Sequence, residues 1–253
     1  MLLLPRRGTN SRRVAASNVG FEWWYLQLVG RDFAGTIVAH TTPMLGGPSC
    51  EPYLSVYFVY GNLIIDAKVP LAVATFSLSP TSIQLGVADE DFAIEGEVVA
   101  CGLGLRLDDS RVLQRVNGDW THWEVPVADG TWIGSLRLGS VRLESEAHAY
   151  QDHNWGQGYL AEYYSKWDWH SVSSPSGSIV GVDALGVMKD QQFRFASSDA
   201  HQSLTSDVVK YRNYSNEGVR ANYERSLVRG RTRQPYGFRE RLEFMEGQAV
   251  TRQ

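Results

Sequence analysis

Hydrophobic side chains recur at every second residue along much of this chain, and that period limits those segments to β-structure. Ile83, Leu85 and Val87 alternate with Ser82, Gln84 and Gly86 in 81–87, and Leu103, Leu105 and Leu107 repeat the pattern. In 141–149, Val141, Leu143, Ser145, Ala147 and Ala149 oppose Arg142, Glu144, Glu146 and His148. Successive side chains of a strand point to opposite faces, so each segment reads as a half-buried strand. Phe21–Val29 and Tyr53–Tyr60 differ, being apolar or aromatic on both faces. Such strands need cover on both sides: a barrel interior on one and a neighbouring layer on the other.

Turn signals separate these runs at Gly30-Arg31-Asp32, Gly46-Gly47-Pro48, Gly61-Asn62, Asn117-Gly118-Asp119 and Asp129-Gly130. Short strands with regular turns predict an antiparallel sandwich or barrel. The best helical signal lies at 200–212, where Asp199, Ser203 or Ser206 is placed to cap a turn or two. With 253 residues there is room for one large or two small domains. The turn at Gly139-Ser140 divides the chain into a flexible arm over 1–16, one β-domain over 17–139 and another over 140–253.

A net charge of −4 argues against nucleic acid as partner, which needs a basic surface. No apolar run reaches the roughly 20 residues needed to span a bilayer, and Met1-Leu2-Leu3-Leu4 is too short for a secretory core. The expected location is the cytoplasm, as a monomer or homodimer. Cys50 and Cys101 read as buried free thiols, without metal-site spacing. Eight Trp, twelve Tyr and nine Phe are enough to line a pocket as well as fill a core.

Three clusters carry candidate chemistry. In Phe21-Glu22-Trp23-Trp24-Tyr25, a strand sends Glu22 and Trp24 one way and Phe21, Trp23 and Tyr25 the other. Glu22 is either a solvated edge residue or, if inward, a buried acid. The second cluster runs from Glu146 and His148 through Tyr150-Gln151-Asp152-His153-Asn154-Trp155-Gly156. Its later part reads as a turn after a strand. It is a structural corner, a metal site using His148, His153 and a carboxylate, or the polar end of a ligand pocket. In the third, Trp167 and Trp169 share a face, and Asp183 shares one with Ile179, Gly181 and Leu185. A carboxylate in that apolar row is either paired, for example with Arg194, or a neutral acid. Nucleotide loops and serine-hydrolase elbows are absent from the sequence.

Glu22-Trp23-Trp24-Tyr25 and Tyr150-Gln151-Asp152-His153-Asn154-Trp155-Gly156, with Trp123-Glu124-Val125-Pro126 between them and Trp167-Asp168-Trp169 after, resemble the signatures of the carotenoid 1,2-hydratase superfamily. That superfamily includes the AttH-like proteins and, more distantly, lipocalin-like Diels–Alderases. The resemblance implies an all-β fold of two packed lipocalin-like domains, antiparallel barrels or sandwiches, and chemistry without metal or organic cofactor. It also implies roles for His153, Trp155 and Asp183 in protonating an alkene. The family's tyrosine position falls on Gly181, which cannot steer a proton but leaves room for a bulky substrate.

The leading expectation is a cofactor-free cyclase performing a [4+2] cycloaddition on a hydrophobic, polyketide-derived polyene. His153, Glu22 and Asp183 are the expected polar donors. Trp24, Tyr57, Trp155 and Trp169 are the expected walls, with Gly181, Glu146 and His148 also against substrate. A hydratase or proton-initiated isoprenoid cyclase is the alternative, and a lipid or pigment carrier the second.

Overall fold

The computed structural model describes residues 20–40, 51–79, 82–87, 92–100, 111–116, 119–157, 160, 164–174, 177–186, 191–196, 205–216, 219–229 and 235–244. The expected arm over 1–16, the strand at 103–107, the turn at Gly46-Gly47-Pro48 and both cysteines lie outside them.

Alternation becomes strands as expected, arranged in two antiparallel sheets. The first contains β1 (Gly20–Gly30), β2 (Phe33–His40), β3 (Tyr53–Tyr60), β4 (Leu63–Pro70), β5 (Ala74–Ser79), β6 (Ser82–Val87), β7 (Phe92–Ala100), β8 (Arg111–Val116), β9 (Asp119–Leu138) and β10 (Val141–Gln157). The second contains β11 (Tyr164–Ser174), β12 (Gly177–Gly186), β13 (Gln191–Ala196), β14 (Thr205–Asn216), β15 (Val219–Arg229) and β16 (Pro235–Phe244). Thr205–Asn216 is a strand where the expected helical turn overlapped it, because pairing along β15 outweighs its local signals; residues 200–204, with Asp199 and Ser203, lie outside the described residues.

Both sheets follow one plan. The first runs β4-β3-β2-β1-β10-β9-β7-β6-β5, with β8 beside β9, and the second β13-β12-β11-β16-β15-β14. In each, the first strand in sequence pairs with the last. Each is therefore an up-and-down meander that joins its own ends and stays open at one seam: between β4 and β5, and between β13 and β14. In the first sheet, a 3-10 turn at Leu71–Val73 connects the two strands that border that seam. Gly139-Ser140 is the hairpin turn between β9 and β10, and Gly139 adopts a φ of 62° that glycine tolerates freely. The change of sheet comes after Gln157, so this turn signal marks a hairpin inside the first sheet. Asp129-Gly130 is likewise no turn and lies within the 20-residue strand β9.

The first sheet curls strongly. Phe58 on β3 and Phe92 on β7 are five strands apart, roughly 24 Å in a flat sheet, yet their ring centroids are 5.4 Å apart. The concave side encloses Leu26, Leu28, Ile37, Val56, Phe58, Trp132 and Leu136. A second core joins the convex side to the second sheet: Phe21, Tyr25, Tyr57, Trp123 and Tyr150 meet Trp169, Val182, Tyr223, Leu227 and Phe238. Each buried aliphatic or aromatic side chain contributes roughly 1.5–3 kcal/mol. The two layers account for the missing polar faces of β1 and β3, whose residues pack alternately into one core and the other. Among the described residues, no helix is long and apolar enough to cross a membrane.

Candidate functional site

Strands β1 and β10 lie side by side at the centre of the first sheet, and their register sorts both signature motifs by face. Trp24 pairs with His153, Tyr25 with Asp152 and Trp23 with Asn154. Gln151, His153 and Trp155 point to the concave side with Glu22 and Trp24. Tyr150, Asp152 and Asn154 point to the second sheet with Trp23 and Tyr25. The expected turn at Asp152–Gly156 is thus strand, paired with β1 throughout and with β9 from His153 on, after register shifts on either side of Gln151.

On the concave side His153 is sandwiched between indoles. Its ring stacks on Trp24 at 3.7 Å and on Trp155 at 4.4 Å. Its Nε2 lies 3.0 Å from Glu22 Oε1. Glu22 is buried, not the solvated edge residue that was the competing expectation. Burial lowers the pKa of His153, although the Glu22 bond opposes this. This cluster binds the two central strands together through their side chains.

On the opposite side a cleft opens between the sheets. Trp23, Tyr25, Trp167 and Trp169 form aromatic walls, with Val38, Leu160 and Leu242 as aliphatic ones. Two polar groups interrupt them. In the first, Tyr150 Oη donates to Asp152 Oδ2 at 2.7 Å and Asn154 Nδ2 to Oδ1 at 2.9 Å. Trp169 Nε1 donates to Tyr150 Oη at 3.3 Å. Burial pushes the Asp152 pKa up to about 7, with nearby Glu240 adding to the rise, while bonds from Tyr150, Trp123 and Asn154 restrain it. In the second, Glu240 Oε1 accepts from Arg225 Nη2 at 2.8 Å and from Tyr25 Oη at 3.1 Å. His40 also lines the cleft. Burial, then the charges of Lys68 and Arg225, lower its pKa to about 3 and keep it neutral.

Of the expected site residues, the structure gathers Glu22, Trp24, His153 and Trp155 behind the cleft, and only Trp169 lines it. Tyr57 sits deeper between the sheets, edge-on to Phe238. Gly181 and Asp183 alternate with the core residues Val180 and Val182, and so lie on the second sheet's other face. Space over Gly181 is filled by the His170 ring, which a Cβ would meet at 2.5 Å. Asp183 pairs in register with Asp168 and not with Arg194, which stands opposite Gly181. Burial disfavours the charged form of Asp168, but the bonds and charges of Arg239 and Arg241 outweigh this and hold its pKa low. Glu146 is exposed, and half-buried His148 lies 3.5 Å from Asp129. His148 and His153 occupy opposite faces of β10, so they cannot share a metal. Among the described residues, no three His, Cys, Asp or Glu side chains form a metal-binding group.

Asp152, Asn154, Trp23 and Tyr25 stand inside the signature motifs beside residues that were singled out. Alternation would have grouped them once one inward residue was known. Arg225 and Glu240 carry no local signal, because they meet only through the pairing of β15 with β16.

Searches of solved structures find the same architecture. A crystal structure of CghA with Sch210972 superposes with a TM-score of 0.51 at 8% identity, covering 91% of this chain and 89% of that one. The chain has the lipocalin-like fold of this group. A putative AttH from Nitrosomonas europaea (TM-score 0.46, 11% identity, 88% and 91% covered) is another match. Kievitone hydratase from Nectria haematococca is a third, with a TM-score of 0.45, 11% identity, and 91% and 90% covered. No protein-family model and no curated protein matches the sequence.

Proposed function

We propose that the chain is a cofactor-independent cyclase. It folds a hydrophobic, polyketide-derived polyene within the inter-sheet cleft and carries it through a [4+2] cycloaddition. The observation that supports this best is a buried carboxyl, Asp152, set among aromatic walls and gaining its proton near pH 7. Cycloaddition needs little acid–base machinery. Holding diene and alkene in a near-attack shape removes an entropic barrier. The protonated Asp152 donates a hydrogen bond to an activating carbonyl, which stabilises the charge that develops on it. Trp23, Tyr25, Trp167 and Trp169 set the fold of the bound chain. Glu22, Trp24, His153 and Trp155 act as positioning residues that fix the strands presenting Asp152.

The same carboxyl favours a second reading, hydration or proton-initiated cyclisation of an alkene, because an acid titrating near 7 also transfers a proton readily. One experiment separates the two. A linear chain with a conjugated diene and a carbonyl-activated alkene is incubated with the protein in deuterated water. Cycloaddition gives an isomer of unchanged mass with no deuterium on carbon. Deuterium on carbon, lost in Asp152→Asn, favours proton transfer. Substrate recovered unchanged, at the background rate, favours a carrier and sinks the proposal.

A further inference from the structure

Glu240 stands on β16 opposite Trp169 of β11 and Arg225 of β15, and alternation turns it toward the first sheet with Phe238 and Leu242. It lines the cleft. Both bonds that hold its carboxylate fall on one oxygen: Oε1 accepts from Arg225 Nη2 at 2.8 Å and from Tyr25 Oη at 3.1 Å. Oε2 has no partner among the described residues. It is not sealed either, unlike Arg225 Nε and His40 Nδ1, which are buried without surface to offer. The Glu240 side chain keeps 16% of its surface, against 4% for that of Arg225. Water can satisfy such an oxygen while the cleft is open. A wholly apolar ligand would displace that water and return nothing, and the loss is larger for a charged acceptor than for a neutral one. The wall at Glu240 therefore selects against a ligand that is hydrocarbon throughout.

We infer that Glu240 Oε2 is a subsite for a hydroxyl group of the ligand, which donates its hydrogen bond to this oxygen. Charge balance selects a neutral donor. The charge of Glu240 is already matched by Arg225. An ammonium group would also meet the like charges of Arg225 and Arg241, which both border the cleft. The cleft then offers two complementary groups: Asp152 gives a hydrogen bond to a ligand oxygen, and Glu240 receives one. The inference rests on the cleft being the ligand site and adds that its substrate carries a hydroxyl as well as a carbonyl.

The test uses three conjugated tetraene probes of matched length, ending in an alcohol, its methyl ether or a primary amine. Each fluoresces on entering an apolar site, and titration gives its Kd. The alcohol is expected to bind about 10-fold more tightly than the ether, which accepts but cannot donate, with the amine weaker than the alcohol. In Glu240→Gln, one amide oxygen can still serve Arg225 and Tyr25 while an N–H donor replaces the free acceptor. The alcohol's advantage over the ether should then fall to within about 2-fold, and an advantage that persists in full overturns the inference. Equal binding of alcohol and ether by the unaltered protein, with both lost in Trp169→Ala, overturns the subsite and leaves the cleft as the ligand site. Tightest binding by the amine overturns the subsite too. These comparisons stand even if Glu240→Gln fails to fold. Binding of no probe, or binding that Trp169→Ala leaves intact, overturns the cleft and the subsite together.

Discussion

The two faces of the β1–β10 pair use the same stretch of sequence for opposite purposes. On the concave face, Trp24, His153 and Trp155 stack into a column and Glu22 closes it with a hydrogen bond. On the cleft face, Tyr25 packs edge-on against Trp169 and Trp23 against Phe21, and with their neighbours Asp152 and Asn154 they line a cleft. One face is filled throughout and the other packs around a cleft, though both carry the same kinds of residue. A motif read along the chain therefore mixes two jobs, and the pleat of the strand separates them.

The comparison can be broken by substitution on each face. Trp155→Ala should cost about 3–5 kcal/mol of stability, measured by urea denaturation, because the filled face has nothing to collapse into the gap. If it instead unfolds like the unaltered protein but loses turnover, the concave face is itself the reaction chamber. A second effect of similar size comes from pH. The folded-state pKa of Asp152 is about 7 against an ordinary value of 3.8, so the native state holds the proton more tightly than the unfolded one. This group's penalty is absent below about pH 4, grows as pH rises, and is complete above about pH 7, with an upper bound of ~4 kcal/mol. Denaturation across that window should show stability falling with pH, and Asp152→Asn should flatten the slope.

Asp152→Asn should also slow turnover by about 100-fold, or ~2.7 kcal/mol in barrier, while the chain still folds. In the unaltered protein the rate should fall as pH rises through about 7, following loss of the proton. Smallest of all, Asp183→Asn should change turnover by less than about 2-fold, because that carboxylate lies across the second sheet from the cleft. A large loss there would restore the role that the family resemblance implied for it.

The sequence exposed the strands well and the site only in part. Alternation in 82–87 and 141–149 is a local property, and both segments are strands in the fold. The double-sided runs of β1 and β3 foretold two layers, since no single core can cover both faces. What alternation cannot supply is its phase. Glu22 with Trp24, or Trp23 with Tyr25, was equally able to face a ligand, and only the partner sheet decides. The Asp152–Gly156 segment reads as a turn by composition, yet ladders on both sides hold it extended. Gly181 looked like room for a substrate, but His170 on the neighbouring strand occupies that room. Arg225 and Glu240 are ordinary surface types, and their burial follows from a sheet assembled far away in sequence.

Joining first strand to last has a consequence for how the molecule is made. Glu22 and His153 are separated by 131 residues, and Tyr25 and Glu240 by 215. Contacts of such span form slowly, since long loops must close before they are rewarded. A ribosome releases β1 before β10 and β16, with both its faces greasy and neither partner yet synthesised. The concave column can lock only once β10 emerges, and the cleft only once β16 follows. The pocket is thus finished only once β16 has been made, and truncation before β16 should leave a first sheet whose outer face is sticky and whose site was never built.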